Sequence, residues 1–197
     1  MMKRLFDIIF SILGISLFSP VFLLVALWIK LDSKGPIFYS QCRIGRFGNT
    51  FKLLKFRSMY LDSDLSGLLT VGGRDPRITS AGFYIRKYKI DELPQLINVF
   101  KGEMSIVGPR PEVKKYVDLY TAEQKKVLHL RPGISDLASI KYSNENELLD
   151  KQTDPEAYYI NVILQDKLKL NLEYVQKQSL FFDVKIIIST IFKVSFQ

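Results

Sequence analysis

Residues 8–29 form a run of 22 residues without a charged side chain. A helix that crosses a bilayer needs about 20 consecutive apolar residues, so this run predicts a helix in the membrane. A secretory signal peptide fits less well, because its apolar core is shorter and is followed by a small-residue cleavage site. The buried helix of a soluble protein also fits less well, because the run is long for the core of a small chain.

Ser19 and Pro20 lie in the middle of this run. Proline lacks a backbone donor and clashes with the preceding turn, so it kinks or breaks a helix. A neighbouring serine can hydrogen-bond to the backbone group that proline leaves unpaired. The pair therefore predicts a bend at the midpoint of the apolar helix.

Basic residues flank the run on both sides: Lys3 and Arg4 precede it, and Lys30 and Lys34 follow it. In a crossing helix, Lys and Arg are biased toward the cytoplasmic side. Positive charge at both ends instead favours a re-entrant helix that bends at Ser19-Pro20 and leaves by the face it entered. A kinked crossing helix is the alternative, and Asp7 is expected to be a paired charge at the membrane interface.

Beyond the membrane segment, short patterns predict a β-hairpin followed by helices. Residues 37–40 and 51–56 are β-prone, and the basic, glycine-containing segment between them predicts the hairpin turn. Residues 61–82 are polar and glycine-rich and predict a loop or mobile lid. A short strand is predicted at 104–107, and helices are predicted at 81–89 (capped by Thr79 or Ser80), 91–100, 112–120, 122–130, 155–176 and 180–195. The predicted fold class is α/β, dominated by helices, with a small β-hairpin or sheet.

Composition narrows the class of partner. The chain has 197 residues, 47% hydrophobic and 24% charged, which is typical of a folded protein. Its single cysteine, Cys42, and single histidine, His129, argue against a disulfide framework or a zinc site. The net charge is +8, and residues 35–115 carry fourteen Lys and Arg against seven Asp and Glu. This excess predicts an anionic partner: nucleic acid, lipid headgroups or a phosphorylated small molecule.

Asp91 and Glu92 are the strongest candidates for catalysis. Basic residues lie on both sides of them: Arg86, Lys87, Lys89, Lys101 and Arg110. Arginines near a carboxylate are expected to lower its pKa and keep it ionised, and an ionised aspartate can act as a nucleophile. Neighbouring helical residues point about 100° apart, so the two acids are expected to have different roles. One would attack, and the other would bind a metal or move a proton; the alternative is an ordinary acidic helix start.

Three further motifs carry basic residues that could contact phosphate groups. Gly108-Pro109-Arg110-Pro111 predicts a rigid turn in which the glycine allows close approach of a ligand. Arg131-Pro132-Gly133 has the same character, and Lys55 and Arg57 share one face at the end of the second strand. Plain loops and a solvated strand edge are the alternatives.

Taken in order, these motifs resemble the bacterial sugar transferase family, the small monotopic phosphoglycosyl transferases that act on polyprenyl phosphate. The resemblance covers residues 1 to about 140, and more loosely the rest. It is carried by Lys3-Arg4, Ser19-Pro20, Lys55-Phe56-Arg57-Ser58-Met59, Asp91-Glu92-Leu93-Pro94-Gln95, Asn98-Val99, Gly102-Glu103-Met104-Ser105, Val107-Gly108-Pro109-Arg110-Pro111 and Arg131-Pro132-Gly133-Ile134.

The resemblance implies a reaction at the cytoplasmic face of the bacterial inner membrane. A UDP-sugar gives its sugar-1-phosphate to undecaprenyl phosphate and releases UMP, as the first membrane step of glycan assembly. It implies that Asp91 attacks the β-phosphate to form a covalent phosphosugar intermediate. Glu92 assists as a base or as a metal ligand, and Mg²⁺ is required, with Asp91 and Glu92 as its expected ligands.

The resemblance also assigns binding residues. It places Arg86, Arg110 and Pro111 at the phosphate site, and Lys55, Arg57 and Arg131 complete the expected phosphate-binding set. Lys3 and Arg4 would face the lipid phosphate, and Ser19-Pro20 would return the helix to the cytoplasmic face. It implies a re-entrant helix over residues 1–31 and a catalytic domain with interfacial amphipathic helices over 32–197. Membrane lipids are expected partners, and oligomerisation is left open.

One stretch departs from the family pattern. Residues 135–142 read SDLASIKY, where many members continue with Thr-Gly and a tryptophan. Because this region is expected to touch the donor, the identity of the sugar stays open. Two other functions are alternatives: a membrane-anchored protein that binds UDP-sugar or lipid phosphate without turnover, and a tethered nucleic-acid-binding domain. The second is disfavoured because the cations alternate with acids, and no nucleic-acid partner is expected.

Overall fold

The computed structural model describes residues 2–63, 67, 69–72 and 75–195. Helices dominate this part of the chain: α1 Met2–Asp32, α2 Ser80–Lys87, α3 Gln95–Lys101, α4 Lys114–Val117, α5 Leu137–Lys141, α6 Glu145–Asp150, α7 Pro155–Tyr158, α8 Leu164–Lys177 and α9 Leu180–Ser195. The strands are β1 Phe38–Ile44, β2 Thr50–Phe56, β3 Ser105–Val107 and β4 Gly133–Ser135. Tight 3₁₀ turns cover Arg46–Gly48, Ile90–Glu92 and Gln124–His129, and a π turn covers Tyr159–Ile163. The predicted class, helix-dominated with small sheets, is confirmed.

Helix α1 continues through Pro20, so the chain is helical on both sides of the predicted bend. Pro20 has no N–H for the carbonyl of Ser16, the residue four positions earlier. The hydroxyl of Ser19 donates to that carbonyl at 2.8 Å. The serine therefore satisfies the backbone group that proline leaves unpaired, as the sequence predicted.

Both ends of α1 pack against the same body of the protein. Near the N-terminus, the buried carboxylate of Asp7 accepts hydrogen bonds from the Ser105 hydroxyl at 2.9 Å and the Ile106 N–H at 3.0 Å. Asp7 is therefore hydrogen-bonded to β3. This differs from the sequence-based expectation of a charge pair at the membrane interface. Near the C-terminus, Val25 and Ile29 are buried in a cluster that contains Phe56, Ala81 and Ile85.

Between these anchors, α1 exposes large apolar side chains. Leu17 and Leu23 are 73% and 74% exposed, and Leu24 is 68% exposed. The helix has a peak mean hydropathy of 2.5 and is long and apolar enough to cross a membrane, on length and composition alone. Such a surface is unfavourable in water, which is consistent with membrane association.

Strands β1 and β2 form the predicted antiparallel hairpin, with Phe38 paired to Phe56 and Ile44 to Thr50. The first strand is longer than predicted, since it extends to Ile44. The hairpin carries Lys55 toward the centre of the molecule, where α2 and α3 pack against it. Helix α2 begins as predicted, because the Thr79 side chain accepts a hydrogen bond from the Gly82 N–H.

Strands β3 and β4 are parallel, with Ser105 opposite Gly133 and Val107 opposite Ser135. Beyond β3, the turns at residues 108–111 and 131–133 meet backbone to backbone. A Cβ atom at Gly108 would lie 2.4 Å from the carbonyl oxygen of Arg131, and one at Gly133 would lie 2.1 Å from the amide nitrogen of Gly108. Both positions therefore require glycine, and the close approach is between these two turns rather than to a ligand. This contact fixes the base of the turn that carries Arg110.

The C-terminal half forms the largest core cluster and was predicted incompletely. The helix predicted at 155–176 is present as α7, the π turn and α8, and α9 matches the prediction at 180–195. Strand β4 and helices α5 and α6 were not predicted. Of the predicted loop at 61–82, residues 64–66, 68, 73 and 74 lie outside the described chain, and its last residues, from Ser80, begin α2. Its described part packs Leu69 and Val71 on the core, and the Gly72 N–H donates to the Asn146 carbonyl at 3.0 Å.

Candidate active site

A tight turn presents the two acidic candidates. Lys89 adopts a left-handed conformation, with φ of 56°, and the 3₁₀ turn Ile90–Glu92 follows it. Helix α3 begins only at Gln95, after Pro94, so Asp91 and Glu92 lie in a separate turn rather than in the first turn of a long helix. Left-handed backbone in a non-glycine residue is uncommon and is often found at functional sites.

Glu92 is held by two cations. The Lys55 ammonium donates to its Oε1 at 2.8 Å. Arg110 contacts both oxygens, with Nη1 at 3.3 Å from Oε2 and Nη2 on Oε1. Burial alone would raise the pKa of Glu92, but the charges of Arg110 and Lys55 hold it well below its ordinary value. Glu92 is therefore a fixed anion with both oxygens occupied.

Asp91 has a different environment, although it is the next residue. It is 4% exposed, and Lys55 Nζ lies 3.5 Å from its Oδ2. Its Oδ1 is buried and has no hydrogen-bond partner in the described chain. Burial raises the pKa of Asp91, while Lys55 lowers it and the charge of Glu92 raises it further. The expected lowering of this pKa is therefore wrong, because burial outweighs the nearby cations.

A cavity of about 670 Å³ opens beside this pair. One part of its lining is apolar and comes from α1: Phe10, Leu13, Gly14, Leu17 and Phe18. Another part is charged and includes Asp91, Glu92, Lys55, Arg86 and Arg110. We call this the helix cavity. It brings an apolar helix face and a charged site into one space.

A second cavity, of about 560 Å³, lies on the hairpin side and is called the hairpin cavity. Its lining is more polar and includes Tyr39, Gln41, Arg43, Arg57, Arg77 and Tyr116. Six residues line both cavities: Lys55, Arg86, Arg110, Glu145, Asn146 and Lys167. The two cavities therefore adjoin around these six side chains.

The structure brings five predicted residues together: Asp91, Glu92, Lys55, Arg86 and Arg110. Arg86 lines both cavities, and its Nη2 donates to the Thr70 hydroxyl at 3.0 Å.

Arg57, Arg131 and Pro111 are not brought to the acidic pair. Arg57 lines the hairpin cavity, but its guanidinium donates to the carbonyls of Ser33 at 2.7 Å, Ile29 at 3.4 Å and Lys34. Arg131 donates to the Gly102 carbonyl at 2.9 Å. Pro111 accepts a hydrogen bond from Arg43 at 3.1 Å through its own carbonyl, and it lines neither cavity.

The basic residues at the start of α1 also have protein partners. Lys3 forms an ion pair with the buried Asp183 at 2.5 Å and lies 3.2 Å from the Tyr174 hydroxyl. Arg4 donates to the last carbonyls of α3, Val99 at 2.6 Å and Phe100 at 2.8 Å.

Ser19 and Pro20 are exposed on the middle of α1 and line neither of the two cavities.

Sequence reasoning missed several residues at the site. The sequence marks Lys89 only as a basic neighbour of the two acids, but it lines the helix cavity, and desolvation lowers its pKa. Asp136 is buried near Arg110, and burial raises its pKa. Glu145, Asn146 and Lys167 line both cavities but belong to two helices, α6 and α8, separated by a third. No local motif marks these three residues. Lys167 on α8 is buried, which is unusual for a lysine, but its burial is visible only in the structure.

Among the described residues, no group of three or more His, Cys, Asp or Glu side chains is placed to hold a metal ion. Mg²⁺ commonly binds through one or two carboxylates, with substrate phosphates and water completing its shell. The carboxylate of Asp91 fits such a ligand, because it lines the helix cavity. Glu92 could contribute only by exchanging its contacts to Lys55 or Arg110.

Comparison with known proteins agrees with this geometry. A family profile described as bacterial sugar transferase matches residues 1–197, the whole chain. The chain is 41% identical over 196 residues to an undecaprenyl-phosphate glucose phosphotransferase of Komagataeibacter xylinus. It is 37% identical over 192 residues to a UDP-N-acetylgalactosamine-undecaprenyl-phosphate N-acetylgalactosaminephosphotransferase of Aeromonas hydrophila. These alignments cover 96% of the chain, but only 35% and 42% of the two relatives.

A third relative is of similar length. The exopolysaccharide production protein ExoY of Rhizobium meliloti is 35% identical over 206 residues, which cover 97% of this chain and 84% of that protein. The similarity therefore extends over the apolar helix α1, the hairpin, the acidic turn and the C-terminal helices alike. The chain belongs to the bacterial sugar transferase family.

Proposed function

We propose that the protein transfers sugar-1-phosphate from a UDP-sugar to undecaprenyl phosphate, with release of UMP, as a first membrane step of glycan assembly. Several matching relatives are named as undecaprenyl-phosphate sugar phosphotransferases, with glucose or N-acetylgalactosamine as the sugar. The observation that carries the proposal is the helix cavity, where apolar side chains of α1 adjoin Asp91, Glu92 and a group of cations that includes Lys55, Arg86 and Arg110. A polyprenyl phosphate also combines the two characters, since its apolar chain ends in an anionic phosphate.

Asp91 is proposed as the nucleophile of the first step. Its Oδ1 attacks the β-phosphorus of the UDP-sugar, the bond from that phosphorus to the oxygen bridging the two phosphates breaks, and UMP leaves. The product is an aspartyl-phosphosugar. Two observations support this role: Asp91 lines the helix cavity, and its Oδ1 accepts no hydrogen bond in the described chain. Burial disfavours the charged carboxylate and so makes it more reactive toward a bound phosphorus centre.

In the second step, an oxygen of undecaprenyl phosphate attacks the same phosphorus, and the bond to Asp91 Oδ1 breaks. Lys55, Arg86 and Arg110 would neutralise the phosphate oxygens in both steps, which is the main demand of phosphoryl transfer. Glu92 would hold Lys55 and Arg110 in place, because it contacts both. Its low pKa supports a positioning anion and argues against a proton acceptor.

Magnesium is proposed as the cofactor. Asp91 would hold the ion together with substrate phosphates, and Glu92 is the neighbouring carboxylate that could join it. Bound there, Mg²⁺ would supply positive charge to the diphosphate oxygens. We expect EDTA to abolish turnover and added Mg²⁺ to restore it, whereas full turnover after chelation would remove the metal from the proposal.

Helix α1 is proposed to be re-entrant, with the catalytic domain at the cytoplasmic face of the inner membrane. A 31-residue helix is about 45 Å long, more than the roughly 30 Å hydrocarbon core of a bilayer. A crossing helix would place its two ends on opposite sides. The contacts of Asp7 to Ser105 and of Ile29 to the Phe56 cluster support a helix whose ends stay on one side.

Helix α9 is proposed to lie in the membrane interface. It exposes Phe181, Ile191 and Phe192, which are 84%, 60% and 61% exposed, while Asp183 and Ile186 are buried against the body. Apolar residues on one face with lysines nearby are typical of interfacial helices.

The reaction is tested by measuring UMP release from a panel of UDP-sugars with undecaprenyl phosphate and Mg²⁺. The wild type should release UMP from at least one donor, and Asp91→Asn should lose turnover by a factor on the order of 10³ or more. Asp118→Asn is the matched control, because Asp118 is an exposed acid paired only with Lys114. Unimpaired release by Asp91→Asn would contradict the covalent step, and no release by the wild type would favour a binding protein.

Topology is tested separately with single cysteines. Met2→Cys and Lys34→Cys, each in a Cys42→Ser background because Cys42 is free and exposed, place labels at the two ends of α1. A membrane-impermeant maleimide applied outside spheroplasts should label neither position until the cells are permeabilised. Labelling of Met2→Cys from outside would show a crossing helix.

A further inference from the structure

We infer that Glu145, Asn146 and Lys167 bind the sugar of the donor and determine which sugar the enzyme accepts. This inference rests on the proposed phosphoglycosyl transfer and deepens it. We call these three residues the sugar wall.

The position of the sugar wall comes from the two cavities. Of the six residues that line both, Lys55, Arg86 and Arg110 are cations suited to phosphate, and the other three are the sugar wall. The first three come from β2, α2 and the turn after β3, whereas the sugar wall comes from α6 and α8. The junction of the two cavities therefore has a cationic part and a second part, the sugar wall, which contains a carboxylate, an amide and an ammonium group.

The sugar wall carries little net charge. Lys167 forms an ion pair with Glu145, and its ammonium lies over the ring of Tyr159, 5.1 Å from the centroid. The two side chains are 9% and 23% exposed. Since the two charges compensate each other, this pair does not compete with the three cations for phosphate. Its remaining donor and acceptor sites suit neutral hydroxyl groups.

Asn146 provides an uncommitted amide. Its backbone carbonyl accepts from Gly72, which anchors the residue, but its side chain makes no hydrogen bond within the described part of the chain. An amide offers two donors and one acceptor, the combination that a hydroxyl or an acetamido group can satisfy. Helix α6 fixes its position, because Leu149 of the same helix is buried in the core.

The covalent structure of the donor places its sugar near the sugar wall. The sugar is esterified directly to the β-phosphate, the group that Asp91 would attack. When the phosphates meet Lys55, Arg86 and Arg110, the sugar is one ester bond away and remains in the space that these cations share with the sugar wall. A site built to hydrogen-bond a particular hydroxyl rejects donors that lack it, because its polar groups would be left unpaired.

The test compares kcat/KM for UDP-glucose, UDP-galactose, UDP-N-acetylglucosamine and UDP-N-acetylgalactosamine. Asn146→Ala and Glu145→Gln are the variants, and Asn144→Ala is the matched control. Asn144 is the exposed N-cap residue of α6, lines neither cavity and makes no capping hydrogen bond with its side chain. Asn146→Ala loses no side-chain hydrogen bond to the described part of the chain, so its melting temperature should stay close to that of the wild type.

We expect Asn146→Ala to change the preference between donors by about tenfold or more, Glu145→Gln to change it as well, and Asn144→Ala to leave it unchanged. Equal loss of kcat/KM for every donor, with the preference kept, would overturn the inference, and so would unaltered kinetics. These outcomes leave the proposed reaction intact, because the wild type still turns over. Failure of the wild type with all four donors would overturn the reaction itself, and the inference with it.

Discussion

Lys55 and Arg110 contact carboxylates beside a cavity, whereas Arg4 and Arg57 contact backbone carbonyls at the ends of helices. All four are basic residues within the motifs that marked the chain as a phosphate-binding protein. The first two share Glu92, an anion, and remain part of the cavity lining. The other two donate to carbonyls in the last turn of a helix or just beyond it, where the helix dipole also favours a cation.

Exposure separates the two pairs further. The side chain of Arg110 is 29% exposed, but Arg57 is 4% exposed and is held by three carbonyls. An incoming phosphate can therefore reach Arg110, while binding to Arg57 would require it to leave the end of α1. The comparison teaches that the role of a basic side chain, catalytic or structural, depends on the group it contacts and not on the motif that contains it.

Among these basic residues, the largest expected effect is on Arg110. Arg110→Gln removes the guanidinium that binds Glu92 and faces the cavity, so kcat/KM should fall by about 100-fold or more. The measurement is UMP release per folded molecule. Arg46→Gln is the control, because Arg46 is exposed at the hairpin turn and lines neither cavity. Equal activity of both variants would remove Arg110 from the site.

Arg57→Met should act on stability. Loss of the hydrogen bonds to the carbonyls of Ser33 and Lys34 should lower the free energy of unfolding by about 2 kcal/mol, with much smaller change in kcat/KM. Urea unfolding in detergent micelles measures it. The control is Lys30→Met, which removes an exposed lysine that donates to Gly35 at the same helix end. If Arg57→Met keeps the wild-type free energy of unfolding but loses turnover, the predicted phosphate-binding role of Arg57 gains support instead.

Lys55→Met should change the pH dependence of the reaction. Asp91 must be ionised to attack, and burial raises its pKa above the ordinary 3.8, so activity should fall with decreasing pH earlier than for an exposed aspartate. Lys55 lowers that pKa, and its removal should move the acid limb of kcat/KM to higher pH, with about a tenfold loss of rate near neutrality.

The control for this shift is Lys52→Met, an exposed lysine on the same strand. It should leave the acid limb where the wild type has it. An acid limb that moves to lower pH in Lys55→Met would show that Lys55 does not stabilise the ionised carboxylate.

Ser19→Ala should have the smallest effect. The carbonyl of Ser16 would lose the donor that compensates for Pro20, which should cost under about 1 kcal/mol of unfolding free energy because a helix can relax around proline. Thermal unfolding in detergent measures the loss, and Ser16→Ala serves as the control because the Ser16 side chain is not the acceptor. A larger loss than that of Arg57→Met would reverse the order of importance of the two helix sites.

The sequence predicted local features well. The hairpin, the Thr79 cap and the hydrogen bond of Ser19 all depend on residues within a few positions of one another or on a short turn. It failed where distant segments decide the outcome. The parallel pair of β3 and β4 joins segments 28 positions apart, with Ser105 opposite Gly133, so no periodicity within either short strand reveals it.

By itself, the sequence determined the apolar helix, the basic middle of the chain and the adjacent acids Asp91 and Glu92, because these follow from the order of residues. Only the tertiary structure decided that Glu92 is paired and ionised while Asp91 keeps a free, buried oxygen. It also decided that Lys167 and Glu145 share a cavity with Arg110. Burial and electrostatic pairing depend on which distant segments pack together, and a linear pattern does not contain those distances.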